Sequence, residues 1–181
     1  MLYDAKWMED QAIMNTAAAI CAAARTAPKA CGIDQLLTLV VTGEEKGQLA
    51  AEMRRIANLY NNGSFLIRDA DNVDKSTAVV LVGTKESHRG LGEICGLCHF
   101  KNCNDCKEAN ACCIYDAMDL GIALGSAAAS CADRRIDSRI MFSIGKAAAS
   151  LGLMGENITM IMGLPLSISG KSPFFDRKTI K

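Results

Sequence analysis

The chain has 181 residues, half of them hydrophobic, and its 20 Lys and Arg balance its 20 Asp and Glu. This zero net charge argues against a nucleic-acid-binding surface as the main function, and the high apolar content excludes a disordered chain. The length suits a single domain over residues 1–181 with its own hydrophobic core. The nine Cys are the unusual feature, because six of them lie between Cys95 and Cys113.

The sequence predicts a cytoplasmic protein that does not associate with membranes. The first ten residues contain three acids and no positive region before an apolar stretch, so we expect no secretory signal. Uninterrupted apolar windows of about 18 residues are absent, so we expect no membrane-spanning helix. Because disulfides are rare in the reducing cytoplasm, nine thiols indicate metal ligands plus a few buried residues. We expect Cys21, Cys31 and Cys131 to be buried, since a free Cys packs as a small hydrophobe.

Helices and strands alternate along the first half of the chain. Apolar residues recur at helical spacing in three segments and form short continuous runs in two others. The predicted elements are a helix over 4–25, a strand over 36–41, a helix over 44–60, a short helix over 65–73 and a strand over 78–83. Pro28 ends the first helix, because the residue before a proline disfavours the helical conformation.

The second half begins with a segment of a different character. Residues 84–113 contain both His and most of the Cys with little periodicity, so we expect a Cys-rich loop inserted into the domain. Beyond it we predict an Ala- and Gly-rich helix over 114–132, a helix over 139–151 with Asp137 as its N-cap, and a strand over 158–163. One central sheet packed by long helices is the natural architecture for this order of elements.

The Cys-rich loop has the spacing C-x2-C-x4-C-x2-C over Cys95, Cys98, Cys103 and Cys106, followed by Cys112 and Cys113. Zinc ribbons place roughly 15–20 residues between their two C-x2-C pairs, whereas the gap here is only four residues. Short Gly-containing loops bring thiolates to one soft metal centre and supply backbone N–H groups to its sulfurs. An iron–sulfur cluster is therefore the favoured interpretation over zinc or free thiols.

Two sets of ligands agree with this spacing. Cys95, Cys98 and Cys103 with a downstream Cys suit a [4Fe–4S] cluster, whereas Cys98, Cys103 and Cys106 with a downstream Cys have the spacing of plant-type [2Fe–2S] ferredoxins. Six thiols for four positions leave two spare, and the spacing does not choose between the sets. His99 directly follows Cys98, but a lone His in the loop is not the Rieske pattern. We expect it near the cluster or at the surface.

Four other blocks of sequence, together with the Cys loop, resemble an uncharacterised family of ferredoxin-domain (4Fe–4S) proteins from anaerobic bacteria and archaea. The blocks are Ala-Arg-Thr-Ala-Pro-Lys-Ala at 24–30, Asp-Leu-Gly-Ile-Ala-Leu-Gly-Ser-Ala at 119–127, Asp-Ser-Arg-Ile-Met-Phe-Ser-Ile-Gly at 137–145, and Gly-Leu-Pro-Leu-Ser at 163–167 with 170–171 and 174–177. The resemblance covers nearly the whole chain. The family has no established activity that could be transferred.

The family resemblance implies one ligand set. Its cluster loop has the pattern C-x2-C-x4-C and then a Cys six residues before the Asp-Leu-Gly block, which opens here at Asp119. The implied metal ligands are Cys95, Cys98, Cys103 and Cys113, so that Cys106 and Cys112 are spare. His99 stands where the family usually has Gly.

A second resemblance is to nitroreductase-like flavoproteins. It rests on Ala27-Pro28 before the strand 36–41 and the amphipathic helix, and on the helix–Gly-Leu–strand order between Ala147 and Gly163. It implies an α+β fold with a central, mostly antiparallel sheet, a homodimer, and FMN at the subunit interface. Lys29 and Gly32 occupy the positions of the expected flavin-contacting Ser and Asn, and the expected N-terminal basic cluster is reduced to Lys6. FMN is therefore a weaker expectation than the cluster.

Three other features suggest packing or surface roles. Gly121 and Gly125 are spaced one helical turn apart and predict close packing in the core or a dimer. Asp119 lies on an apolar helix, where a carboxylate must be capped, paired or exposed, and we expect it to orient the cluster loop. Lys171 lacks the glycine spacing of a phosphate-binding P-loop.

These observations predict an iron–sulfur redox protein. Its cluster would transfer electrons to a partner protein or to a bound flavin, the latter as a flavin-linked oxidoreductase. The alternative is a non-enzymatic sensor or assembly module in which a cluster or zinc has a structural role. Hydrolase chemistry has no support, because the sequence contains neither a nucleophile elbow nor an H-E-x-x-H motif.

Overall fold

A computed structural model of the chain describes residues 1–175. The helices are α1 (Ala5–Thr26), α2 (Gly43–Ala57), α3 (Ser64–Asp74), α4 (Cys103–Glu108), α5 (Ile114–Asp133) and α6 (Phe142–Ser150). The strands are β1 (Leu36–Val41), β2 (Ala78–Lys85), β3 (Asp137–Ser138) and β4 (Ile158–Ser167). Within the described residues, none of the helices combines the length and apolar composition needed to cross a bilayer.

The four strands form one antiparallel sheet in the order β1-β2-β4-β3. β2 lies at the centre, with Leu81 opposite Leu39 of β1 on one side and opposite Gly163 of β4 on the other. Every residue of β2 before Lys85 is buried, as its continuous apolar sequence predicts. Helices cover this sheet, which confirms the predicted α+β class with a central antiparallel sheet.

Helices pack on both faces of the sheet and create two hydrophobic cores. Successive side chains of a strand point to opposite faces, so Val79 and Leu81 join one core while Val80 and Val82 join the other. The first core contains the apolar faces of α2, α3 and α6. The second contains those of α1 and α5, whose many Ala residues allow the two helices to pack closely.

β4 extends beyond its predicted end and includes Pro165. The sequence predicts a strand over 158–163, but β4 continues to Ser167 with Pro165 opposite Val79. Leu166 accepts a backbone hydrogen bond from Thr77 on the β2 side, so Pro165 faces the opposite side. β3 ends there at Ser138, and the missing N–H of Pro165 therefore removes no ladder hydrogen bond.

The segment after α5 also differs from its prediction. We expected Asp137 to cap a helix over 139–151, but Asp137 belongs to β3 and α6 begins at Phe142. Arg135 adopts a left-handed conformation with φ of 59° directly after α5. This turns the chain so that Asp137 and Ser138 pair with the end of β4, a long-range contact that local sequence does not indicate.

Two glycines allow α6 to lie directly on β4. A Cβ atom at Gly145 would be 1.7 Å from the carbonyl oxygen of Ile161, and one at Gly163 would be 2.1 Å from Cγ2 of Ile144. Neither neighbour is the free end of a flexible side chain. The helix and the strand therefore depend on these two glycines for their separation.

Gly145→Ala is expected to lower the free energy of unfolding by about 3 kcal/mol, because an added methyl group must push α6 away from β4. Chemical denaturation with a helical circular dichroism signal measures the change. Gly47→Ala is the matched control, since Gly47 is exposed in α2 and a Cβ there meets nothing within 4 Å. That substitution should raise stability by about 0.5–1 kcal/mol, and equal losses from both variants would contradict the tight contact.

Candidate metal centre

Five thiols line one pocket between the end of β2 and the start of α5. They are those of Cys95, Cys98, Cys103, Cys106 and Cys113. The structure thus brings together all four predicted ligands and adds Cys106, which we expected to be spare. Cys112 is exposed and does not line the pocket.

Local turns and helix ends deliver these thiols to the pocket. Asn102 caps α4, with its side-chain oxygen accepting from the N–H groups of Asn104 at 2.8 Å and Asp105 at 3.0 Å. This fixes Cys103 at the first residue of α4. Cys113 is the N-cap of α5, where the partial positive charge of the helix end favours a thiolate. Sequence analysis missed α4 because only six residues form it.

Backbone N–H groups point at two of the sulfurs. The Sγ atom of Cys98 accepts a hydrogen bond from the N–H of Ile114 at 3.2 Å. Burial raises the pKa of Cys113, but hydrogen bonds from the backbone N–H groups of Arg89 and Tyr115 oppose that rise. Such donors stabilise negative charge on sulfur and are typical of iron–sulfur sites.

The thiols also influence one another. Cys106 is 2% exposed, and burial raises its pKa, with further increases from Cys98, Cys113 and Cys103. Several thiolates cannot share this space without positive charge between them. A metal centre would supply that charge, and thiolate ligands suit a soft metal or an iron–sulfur cluster.

Among the described residues, the side chains that could bind a metal do not converge on the position of a single metal ion. In residues 1–175, no group of three or more His, Cys, Asp and Glu side chains has the arrangement that holds one metal ion. The five thiols instead surround a shared, mostly apolar pocket, with Leu91, Leu97 and Phe100 among its other lining residues.

A buried ionic network lies behind the pocket. Arg89 in the loop after β2 lies between two carboxylates of α5, with Nη1 2.9 Å from Oδ1 of Asp116 and Nη2 2.7 Å from Oδ2 of Asp119. Asp119 also accepts from the N–H of Ala30 at 3.0 Å, and Asp116 accepts from the N–H of Ser87 at 2.9 Å. The expectation that Asp119 orients the loop agrees with these contacts.

Sequence analysis missed Arg89 and Asp116. The available signal was a pair of carboxylates three residues apart on an apolar helix, which requires a buried cation nearby. The chain separates that cation from Asp116 by 27 positions, so its identity depends on how the loop folds back. Burial raises the pKa of Asp116, and hydrogen bonding from Ser87 and the charge of Arg89 oppose that rise.

The two histidines occupy different positions. His99 is exposed and adopts a left-handed conformation with φ of 62°. This explains why its position suits Gly, which reaches positive φ without a steric cost. His88 lines the pocket, and its Nε2 atom is buried without a hydrogen-bond partner in the described part of the chain.

The remaining thiols do not all match their expected burial. Cys131 of α5 is fully buried in the second core, and Cys21 of α1 packs partly buried against the same core. The prediction for Cys31 is wrong, because it is exposed in the turn after α1, with a positive φ of 57°. This turn places the Cys31 side chain outside the core.

Gly121 and Gly125 do not pack closely against any residue in the described range 1–175. Both are exposed on α5, and a Cβ at either position would meet nothing within 4 Å among the described residues. The expected core packing is therefore wrong, and contact with a second copy is the part of that expectation that stays open.

The turn after α1, where the flavoprotein resemblance places the flavin contacts, has its cations engaged within the chain. Lys29 is largely buried, and its Nζ donates to the backbone oxygens of Arg25 and of Ala27, the latter at 2.8 Å. Arg25 pairs with Asp34 at 2.6 Å, whereas Lys6 lies at the opposite end of α1 and pairs with Asp10. Because Lys29 and Arg25 are both engaged within the chain, the turn after α1 does not fit a flavin phosphate on its own.

Two comparisons of sequence identify related proteins. Residues 109–177 match the family described as "Uncharacterized protein containing a ferredoxin domain (DUF2148)". An uncharacterized protein from Archaeoglobus fulgidus is 40% identical over 185 residues, which covers 98% of each chain. The Asp176 and Arg177 positions of the matching blocks lie outside the described residues.

Solved structures of similar fold include several nitroreductases. The FMN-bound enzyme from Desulfitobacterium hafniense has a TM-score of 0.61 and 15% identity, covering 87% of this chain and 78% of its own. The FMN-bound nitroreductase from Bacteroides fragilis has a TM-score of 0.59 and 15% identity, covering 92% of this chain and 83% of its own. At this identity the likeness concerns the fold alone, and it confirms the predicted nitroreductase-like architecture.

His99→Gly is expected to stabilise the protein by up to about 1 kcal/mol, because Gly removes the cost of holding a side chain at positive φ. The midpoint of chemical denaturation measures this gain. The control is His99→Ala, which keeps the Cβ atom and should bring no gain. If Ala and Gly stabilise equally, backbone strain is not the cause.

Proposed function

This chain belongs to the family of proteins that contain a ferredoxin domain, and on that premise we propose that it is an iron–sulfur protein that transfers electrons. The pocket of five thiols, with backbone N–H groups directed at its sulfurs, is the observation that carries the proposal. A bound cluster would supply one-electron chemistry, while the surrounding protein sets its potential and access.

We propose Cys95, Cys98, Cys103 and Cys113 as ligands of a [4Fe–4S] cluster. Cys98 accepts a backbone hydrogen bond from Ile114, and Cys95, Cys103 and Cys113 line the same pocket. The alternative [2Fe–2S] set replaces Cys95 with Cys106, whose burial among the other thiols supports it. Metal content and variants of the individual thiols distinguish the two sets.

The proposed molecule is a cytoplasmic homodimer of a single domain over 1–181, with the Cys-rich loop 84–113 inserted. A row of exposed apolar side chains one turn apart on α5 supports association with a second copy, namely Ile114, Met118 and Ile122. Gly121 and Gly125 lie on the same helix and leave room for a close approach. Light scattering coupled to gel filtration measures the mass, and a monomer at all concentrations would contradict this part of the proposal.

The electron partner is proposed as either a separate protein or a bound flavin. The fold shared with FMN-bound nitroreductases favours the flavin, whereas Lys29 and Arg25 are engaged within α1 and its turn. The contrasting proposal is a sensor or assembly module with a structural cluster or zinc. Flavin released on denaturation supports the first function, and a stoichiometric cluster without flavin or electron transfer supports the second.

Anaerobically purified protein is expected to contain about four iron and four sulfide per chain, because four thiolates around a cubane are the proposed set. Iron, acid-labile sulfide, zinc and flavin are quantified on the same sample. About two of each would favour the [2Fe–2S] set. Zinc without sulfide would overturn the iron–sulfur proposal altogether.

Cys113→Ser is expected to abolish stable cluster binding, because Cys113 is a proposed ligand. Cys112→Ser is the matched control, since the thiol of Cys112 is exposed and lies outside the pocket. This variant should leave the iron and sulfide content unchanged. Cys106→Ser then separates the two ligand sets, because only the [2Fe–2S] set requires that thiol. Iron content and the visible absorption of the cluster measure all three variants.

A further inference from the structure

Arg89 is a buried cation that the proposed electron transfer does not by itself require. Arg89, Asp116 and Asp119 are 7%, 0% and 3% exposed. Burying such charges is costly unless they are paired, and networks of this kind are weak evidence for stability as such. Their position beside the thiol pocket therefore suggests another role.

The network carries an excess of negative charge. One guanidinium faces two carboxylates, and the carboxylates raise the pKa of Arg89 although its burial opposes that rise. The pairing with Asp119 is a hydrogen bond, whereas Oδ1 of Asp116 and Nε of Arg89 have no hydrogen-bond partner among the described residues. The pairing of Arg89 with Asp116 is thus not optimised for hydrogen bonding. The net negative charge of the three residues stays near the pocket.

The same residues contact a proposed ligand directly. Arg89 and Cys113 line the same pocket, and the backbone N–H of Asp116 donates to the carbonyl of Cys113 at 3.0 Å. Asp119 lies one turn further along α5. It accepts hydrogen bonds from Nη2 of Arg89 and from the backbone N–H of Ala30. The loop, α5 and the turn after α1 therefore meet at Arg89 and Asp119.

We propose that Arg89, clamped by Asp116 and Asp119, is a positioning residue that holds the start of the Cys-rich loop beside Cys113 and places a net negative charge beside the cluster. This inference rests on the proposed function, because it concerns the same iron–sulfur site. The clamp slows the loss of iron by fixing a ligand. Its net charge lowers the reduction potential, because the reduced cluster carries one more electron.

Asp119→Asn tests the clamp while keeping the shape of the side chain. Iron release from the loaded protein to a ferrous chelator should become about tenfold faster or more, the order found when a group that supports a metal ligand is removed. The reduction potential from spectroelectrochemistry should shift to a more positive value, because one negative charge is lost. In the metal-free protein, backbone amide exchange in 86–92 should accelerate.

Asp69→Asn is the matched control. Asp69 is also a buried carboxylate, paired with Arg68 at 2.8 Å and with the Ser143 hydroxyl at 2.6 Å, but it lies in α3 in the other core. This variant should lose stability without changing the potential or the rate of iron release. Arg89→Lys provides a second test, since it keeps the charge but cannot span both carboxylates, and should accelerate iron release with a smaller change in potential.

The results separate this inference from the proposed function. Wild-type protein without an iron–sulfur cluster would overturn the proposed function, whereas the amide exchange of the metal-free variants would still test the clamp. A wild-type cluster with unchanged potential and iron release in Asp119→Asn would overturn the inference alone. Equal effects of Asp69→Asn and Asp119→Asn would also overturn it, because general destabilisation would then explain both.

Discussion

The contact between Arg89 and the two carboxylates of α5 determines where the Cys-rich loop lies. Between Lys85 and α5 the chain forms only short helical segments, so hydrogen bonds of regular structure cannot fix its path. Charge pairing replaces them and anchors the loop on a long helix that is packed against the sheet. Beyond that contact, the Asn102 cap and the N-terminus of α5 place the thiols of Cys103 and Cys113.

The packed fold and the thiol pocket depend on different parts of the sequence. The sheet and its two helical layers bury the apolar surface, and this architecture is shared with flavoproteins of very different sequence. The thiol pocket is built by the segment between β2 and α5 together with the first residues of α5. A site of this kind belongs to the loops that a fold carries, so the fold by itself does not define its function.

Much of the architecture could be predicted from local sequence. The bounds of β1 were predicted without error, and the apolar runs of β2 and β4 identified the sheet. The spacing of the thiols indicated one shared site, because ligand positions close in sequence converge easily. The choice of Cys113 came from the family resemblance, and Cys106 was expected to be spare. β3 and Arg89 were missed, since each depends on a partner distant along the chain. The exposure of Cys31 follows from a left-handed turn that its residue type does not indicate.

The two hydrophobic cores, one on each face of the sheet, have a consequence for how this sequence can vary in evolution. Among the described residues, those that line the thiol pocket come from 88–115, and the network behind them joins the loop to α5 and the turn after α1. The α1 and α5 layer must therefore satisfy both packing and the site. The α2 and α3 layer lines no part of the thiol pocket among those residues, and volume-conserving exchanges in its core are tolerated best. Among relatives, substitutions are thus expected to accumulate faster in α2 and α3 than in α5.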